Sequence, residues 1–284
     1  MRLFKYFGIE RLSVFATRLI RFSQPAIFND PFEFSPYIES ISSLEEVDAA
    51  LNDASKKDFS ELYYSFDSEA RKNITKEDFQ LAMSAILRGS GAHGKTMMDQ
   101  LLPTVQPLLY QGWNENIGVM CLSEKNDDLL MWAHYADCHK GFVLEFDPQS
   151  EFFDKRIGPK DSLRSLRKVT YSQKRPAITL SQANEEAFFL TKSDHWEYEA
   201  EWRMMIPLAD ADHTKESEEG AICLFEFPMD AIKSVIFGAK MSEGAVKSII
   251  DQVSVMEGYK HLEFLQAKIH PTDYSLIIEK AVSY

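Results

Sequence analysis

The stretch Trp196-Glu197-Tyr198-Glu199-Ala200-Glu201-Trp202-Arg203-Met204-Met205-Ile206 decides how this chain is to be read. As a β-strand it places Tyr198, Ala200, Trp202, Met204 and Ile206 on one apolar face and Glu199, Glu201 and Arg203 on the other, because successive strand side chains point to opposite sides. Charges two residues apart lie roughly 7 Å from one another along a strand, close enough to couple and to grip a polar ligand. A solvent-facing ladder of ion pairs fits the same pattern, since antiparallel sheets commonly show water one polar face. The aromatic density around these charges favours function.

Working outward, Gly118–Ser123 and Gly141–Asp147 are short, apolar and bounded by turn residues, with a helical run from Asp127 to Asp137 between them. Strands are also predicted at Leu166–Tyr171, Tyr198–Pro207, Ala221–Phe227, Ser234–Phe237, His261–Ile269 and Tyr274–Glu279, and helices at Ser181–Thr191 and Ser242–Glu257. The chain opens with a strand (Leu3–Tyr6), a helix (Ile9–Thr17) and a strand (Leu19–Ser23). From Ser43 to about Gln111 apolar residues recur at three and four spacing, which describes successive helices inserted over about 43–116. Strands in runs with helices grouped elsewhere predict one α+β domain over residues 1–284, with a mixed, largely antiparallel sheet and a helical insertion.

Two more clusters carry polar chemistry. In Arg21-Phe22-Ser23-Gln24-Pro25-Ala26-Ile27-Phe28-Asn29-Asp30-Pro31, alternation points Arg21 and Ser23 the same way, as donors for phosphate or carboxylate oxygens. Pro31 forces Asp30 out of the helical region, so Asn29-Asp30-Pro31 is a specified turn, read equally well as architecture. In the run from Asp127 to Phe142, Trp132 faces the core while His134, Tyr135 and His139 remain as polar aromatics. A packed histidine bonded to nearby backbone is the default for each, and the clustering weakens that default.

Composition bounds the answer. A 284-residue chain that is 45% hydrophobic can bury a large core. Its net charge of −13 repels nucleic acid and anionic membranes at long range, so bulk nucleic-acid binding is not expected. Charges interrupt the apolar residues of Met1–Phe22, and no later stretch approaches the roughly 20 apolar residues of a membrane span. A cytoplasmic location without membrane partners is expected. The three cysteines, Cys121, Cys138 and Cys223, read as buried small hydrophobes, and no metal site is expected. Between Lys155 and Arg175 eight basic residues meet one acid, Asp161, which describes a solvated loop or a phosphate-holding run.

The same residues resemble the bacterial family called domain of unknown function 2971. The likeness rests on Leu3-Phe4-Lys5-Tyr6, Arg21-Phe22-Ser23-Gln24-Pro25 with Phe28-Asn29-Asp30-Pro31-Phe32-Glu33, Leu130-Met131-Trp132-Ala133-His134-Tyr135-Ala136 with His139-Lys140-Gly141-Phe142, and Trp196 to Arg203. More distantly, the chain is similar to DNA-targeting ADP-ribosyltransferase toxins, which open with a strand, helix, strand unit and place a catalytic glutamate late in a strand. Their early nicotinamide-binding histidine has no match at Lys5 or Tyr6.

That similarity implies a split sheet resembling an ADP-ribosyltransferase core, with NAD or a related nucleotide as substrate, Glu201 as the catalytic glutamate and Glu199 orienting the acceptor. Substrate contacts then fall to Arg21, Ser23, Asn29, Asp30, Trp132, His134, Tyr135, His139, Trp196, Tyr198 and Arg203. The alternative is a non-catalytic nucleotide- or protein-binding module of a phage-defence or toxin-type system. A phosphodiester hydrolase using His134 and His139 is a third reading. The residues alone leave open whether the chain is an enzyme and which protein partner it has.

Overall fold

The computed structural model describes residues 1–217 and 220–281. Apolar alternation builds an eight-stranded sheet from β1 (Leu3–Phe7), β2 (Ile117–Ser123), β3 (Phe142–Phe146), β4 (Arg167–Lys168), β5 (Glu201–Pro207), β6 (Ile232–Phe237), β7 (Glu263–Ile269) and β8 (Leu276–Lys280). The strand order is β8-β7-β6-β3-β1-β2-β5-β4, and every neighbouring pair is antiparallel except β6 with β7. This is a mixed α+β architecture with a mostly antiparallel open sheet.

Both faces are covered. Leu3, Phe7, Met120, Phe142, Met204 and Phe237 join one buried cluster, and Phe4, Tyr6, Trp132, Val143 and Ile236 join another. Each such side chain contributes about 1.5–3 kcal/mol by leaving water. A smaller sheet of His213–Ser217, Gly220–Glu226 and Leu19–Arg21 lines up antiparallel, sending Phe225 and Ile20 into the first cluster.

One irregularity matters for the site. β1 and β2 share a single register pair, Phe4 with Ser123, whereas β1 has five pairs with β3 and β2 has seven with β5. Further along β2, Val119 exchanges both backbone hydrogen bonds with Ser23 at 2.9 Å. β2 thus passes from β1 to the segment after Leu19–Arg21, and Cys121 lies where the two partners part.

The chain folds into two compact units. One comprises Met1–Ser35, Gly112–Arg175 and the chain from Phe189 onward, and carries the sheets above. The other comprises Pro36–Gln111 and Pro176–Phe188. In it Ser43 caps the helix Leu44–Ser55 through a capping box with Glu46, and Thr75 caps the helix Lys76–Gly89 by accepting from the Asp78 N–H. The Ser84 hydroxyl donates to the Ser55 carbonyl at 2.7 Å, and Tyr37–Ser40 pairs in parallel with Ala177–Thr179.

Several elements differ from the sequence expectation. The decisive stretch is not one strand from Tyr198: Asp194–Glu199 is a 3-10 helix, Ala200 is left-handed (φ 44), and β5 starts at Glu201. The Ser123 hydroxyl donates to the Glu199 carbonyl and the Glu124 N–H to the Ala200 carbonyl, which satisfies backbone groups that a continuous ladder would otherwise hold. The parity therefore breaks at Ala200. Tyr198 packs with the Trp132 cluster while Trp202, Met204 and Ile206 pack with the other.

The reading of Glu199, Glu201 and Arg203 as a solvent-facing ladder is also corrected, since all three are buried. Ile9–Thr17 is a 3-10 turn followed by the short helix Val14–Thr17, because Ser13 is already a cap and Arg18 turns left-handed. Ser181–Thr191 is broken into the end of a 3-10 turn, Leu180–Gln182, and the short helix Glu185–Phe189, before a strand, Thr191–Ser193, that pairs in parallel with Thr170–Ser172. Cys138 is exposed rather than buried, because it sits in a turn where Asp137, Cys138 and His139 all have positive φ.

Candidate functional site

The parting of β1 from β2 opens a cavity of about 180 Å³, lined in part by Lys5, Tyr6, Ser23, Asn29, Cys121, Tyr135, Lys192, Glu199 and Glu201. Four local structures deliver these groups. β5 starts immediately after the left-handed Ala200 and so brings Glu201 beside Glu199. The short parallel pair of Thr191–Ser193 with Thr170–Ser172 places Lys192. The helix Leu129–Tyr135, whose first N–H groups at Leu130 and Met131 are capped by Asp128, ends on Tyr135. The Asp30 carboxylate accepts from the Phe32 N–H at 2.9 Å and its carbonyl from the Glu33 N–H, folding the turn that presents Asn29 and Glu33.

A buried ion cluster backs the cavity. Lys192 Nζ donates to Glu199 Oε2 at 2.5 Å and Glu201 Oε2 at 3.0 Å, and lies 3.5 Å from Glu33 Oε1. Arg203, wholly buried, donates from Nε to Glu201 Oε1 at 2.8 Å, from Nη2 to Glu201 Oε2 at 2.9 Å and to Glu33, and from Nη1 to the Phe189 carbonyl at 2.8 Å. Its guanidinium also lies 4.8 Å from the Phe34 ring centre. The Tyr135 hydroxyl donates to Glu199 Oε1 at 2.8 Å. Glu33 Oε2 is buried with no hydrogen-bond partner among the described residues.

These contacts set the charge states. Burial opposes the charge on Lys192, but Glu201 and Glu199 override it and hold its pKa above the ordinary lysine range. Burial pulls Arg203 down to about 9, which still leaves it charged at neutral pH. Burial, followed by the Glu199 charge, raises the Tyr135 phenol, so it remains a donor. Burial likewise raises Glu201, against the pull of Lys192. Burial and then Glu201 push the Cys121 thiol well up, which argues against a thiolate nucleophile at this position. Among the described residues no group of three or more His, Cys, Asp or Glu side chains could hold a metal ion.

Of the residues singled out by sequence, Ser23, Asn29, Tyr135, Glu199 and Glu201 border this one cavity. Arg203 and Asp30 are buried behind it, with the Asp30 charge acting on the guanidinium. Trp196 lies behind Lys192, its ring centre 5.0 Å from Nζ. The others fall elsewhere. Trp132 is core, donating from Nε1 to the Asn126 carbonyl at 2.8 Å, and His139 stacks on it at 6.3 Å. His134 is exposed, Tyr198 packs against the second cluster, and Arg21 sits in the three-stranded sheet opposite Leu224.

Lys5 and Glu33 stand inside stretches that carry the family resemblance yet receive no role from the sequence, and Lys192 lies outside them. Glu33 follows Pro31 so closely that it reads as part of a turn, and a lone lysine in Thr191-Lys192-Ser193 stands out from nothing around it.

Residues 131–204 match a family described as proteins of unknown function, DUF2971. Tyr135, Lys192, Glu199, Glu201 and Arg203 all lie within the DUF2971 match, so much of the cavity wall and most of the ion cluster come from it. No curated protein and no solved structure matches the chain. No helix among the described residues is long and apolar enough to cross a membrane.

Proposed function

We propose that the chain is an ADP-ribosyltransferase-like enzyme that takes NAD or a related nucleotide into this cavity and uses Glu201 at the ribose. The observation that carries the reading is the pair of buried carboxylates, Glu199 and Glu201, lining a cavity where two central strands part. A space of about 180 Å³ suits a single ring or sugar, since an engineered cavity of about 150 Å³ accepts benzene. The remainder of a dinucleotide lies outside it.

Breaking a nicotinamide glycosidic bond develops oxocarbenium character, which a fixed carboxylate stabilises. Glu201 is fixed: Arg203 grips both its oxygens and Lys192 one of them. Held this way, it needs little reorientation as positive charge grows on the sugar. Glu199, bonded to Tyr135 and Lys192, orients the acceptor. Ser23 and Asn29 supply polar contacts on the cavity wall.

Incubation with NAD should release nicotinamide, and Glu201→Gln should reduce that release by about 100-fold or more, as for removal of a principal charge-stabilising group. Unchanged release in the variant defeats the assignment. A second reading, a non-catalytic nucleotide-binding module, is favoured by the full engagement of Glu201 with Arg203 and Lys192, which is equally the arrangement of a structural ion pair. Calorimetric binding of NAD without nicotinamide release selects it.

A further inference from the structure

Two lysines line this one cavity in opposite surroundings. Lys192 is clamped by Glu33, Glu199 and Glu201 within 3.5 Å. Lys5, on β1, donates one hydrogen bond from Nζ to the Cys121 carbonyl at 3.1 Å, and among the described residues no carboxylate forms an ion pair with it. It reaches across the place where β1 and β2 part, so its amine faces open space rather than a ladder partner.

Two neighbouring hydroxyls are already committed. The Tyr6 hydroxyl donates to the Lys125 carbonyl at 2.8 Å, and the Ser123 hydroxyl donates to the Glu199 carbonyl at 2.5 Å. Glu33 Oε2, by contrast, is buried, its residue lines the same cavity, and it has no hydrogen-bond partner among the described residues. A ligand that satisfies both loose ends carries an electrophilic carbon for the amine and a hydroxyl for the carboxylate.

We propose that Lys5 captures a small hydroxyaldehyde or hydroxyketone, the carbonyl end of a short sugar, as an imine, with Glu33 accepting from a ligand hydroxyl. The Nζ lone pair forms the new C–N bond as the carbonyl π pair moves to oxygen. The oxygen then leaves as water, carrying both amine protons, and C=N remains. The step needs a neutral amine, and burial favours one: desolvation lowers the Lys5 pKa and Arg11 lowers it further, against the raising influence of Cys121 and Glu201. A desolvated lysine is the usual activated amine for this chemistry. The inference stands apart from the role of Glu201, since it needs neither NAD nor glycosidic cleavage.

The test uses the full wild-type chain with glyceraldehyde and cyanoborohydride near neutral pH, without NAD, followed by peptide mass spectrometry. Lys5 should form the reduced adduct about 10-fold faster than exposed lysines such as Lys57 and Lys247, because its desolvated amine is more often neutral and it lines the cavity that holds the aldehyde. Propionaldehyde, which lacks the hydroxyls, should show less preference for Lys5. In Lys5→Arg the fast site should vanish while the surface lysines label as before. Labelling of Lys5 no faster than Lys57 overturns the proposal, and equal preference for the two aldehydes removes Glu33 from it. Nicotinamide release is read separately, so either result can fail alone.

Discussion

The basic run 155–175 and the ion cluster behind the cavity are both rich in charge, yet they behave differently. In the run, Arg156 pairs with Asp154 and Lys168 with Glu124 in the open, and the half-buried Arg164 bridges Asp161 and Asp210. Such pairs are screened and weak. In the cluster, Glu33, Lys192, Glu199, Glu201 and Arg203 share partners and are all buried. Charge dense along the chain is therefore not charge dense in space, and only the second kind builds a low-dielectric wall for a ligand.

The sharpest break of that contrast is Arg203→Met, which leaves Glu33 and Glu201 buried beside one cation. Stability should fall by about 3–5 kcal/mol, the range for losing one partner of a buried pair, and urea unfolding reads it. A loss too small to measure would put the cluster on a par with the surface run. Lys192→Met should be next, at about 3 kcal/mol, because Arg203 still covers Glu201.

The pH dependence of the Lys192 difference sharpens the point. A base whose folded pKa is raised gives its full stabilisation below the unfolded value, here 10.5, and loses it as pH climbs through the folded one. The gap in Tm between wild type and Lys192→Met should thus hold from about pH 6 to about pH 10 and narrow only above that. Smallest of all, Arg156→Ala in the surface run should leave the urea midpoint unmoved.

Much of the sheet was legible in the amino-acid pattern. Gly118–Ser123, Gly141–Asp147 and Ser234–Phe237 lie on β2, β3 and β6, because buried strands leave a continuous apolar signature between turn residues. The charged pair at Glu199 and Glu201 was legible as unusual from the aromatic residues around it, whereas its burial was not, because alternation along a strand fits a solvent-facing ladder equally well. Three further things were not. The left-handed turn at Ala200 depends on Ser123 and Glu124 supplying hydrogen bonds from a distant strand. Lys192 and Glu33 look ordinary in their own neighbourhoods and gain meaning only when the turn after Pro31 and the strand before Ser193 meet Arg203. Lys5 sits in an opening strand whose departure from β2 no local periodicity encodes.

The place of β1 within the sheet governs how the molecule can be made. It leaves the ribosome ahead of every strand it pairs with, and Leu3 finds its partner only when Phe146 has emerged. Until then a segment apolar on both sides waits unpaired, and nonlocal closure of this kind is slow and exposed to misassociation. Faster synthesis of residues 8–146, or a holding chaperone that covers β1 in the meantime, should therefore raise the yield of native protein.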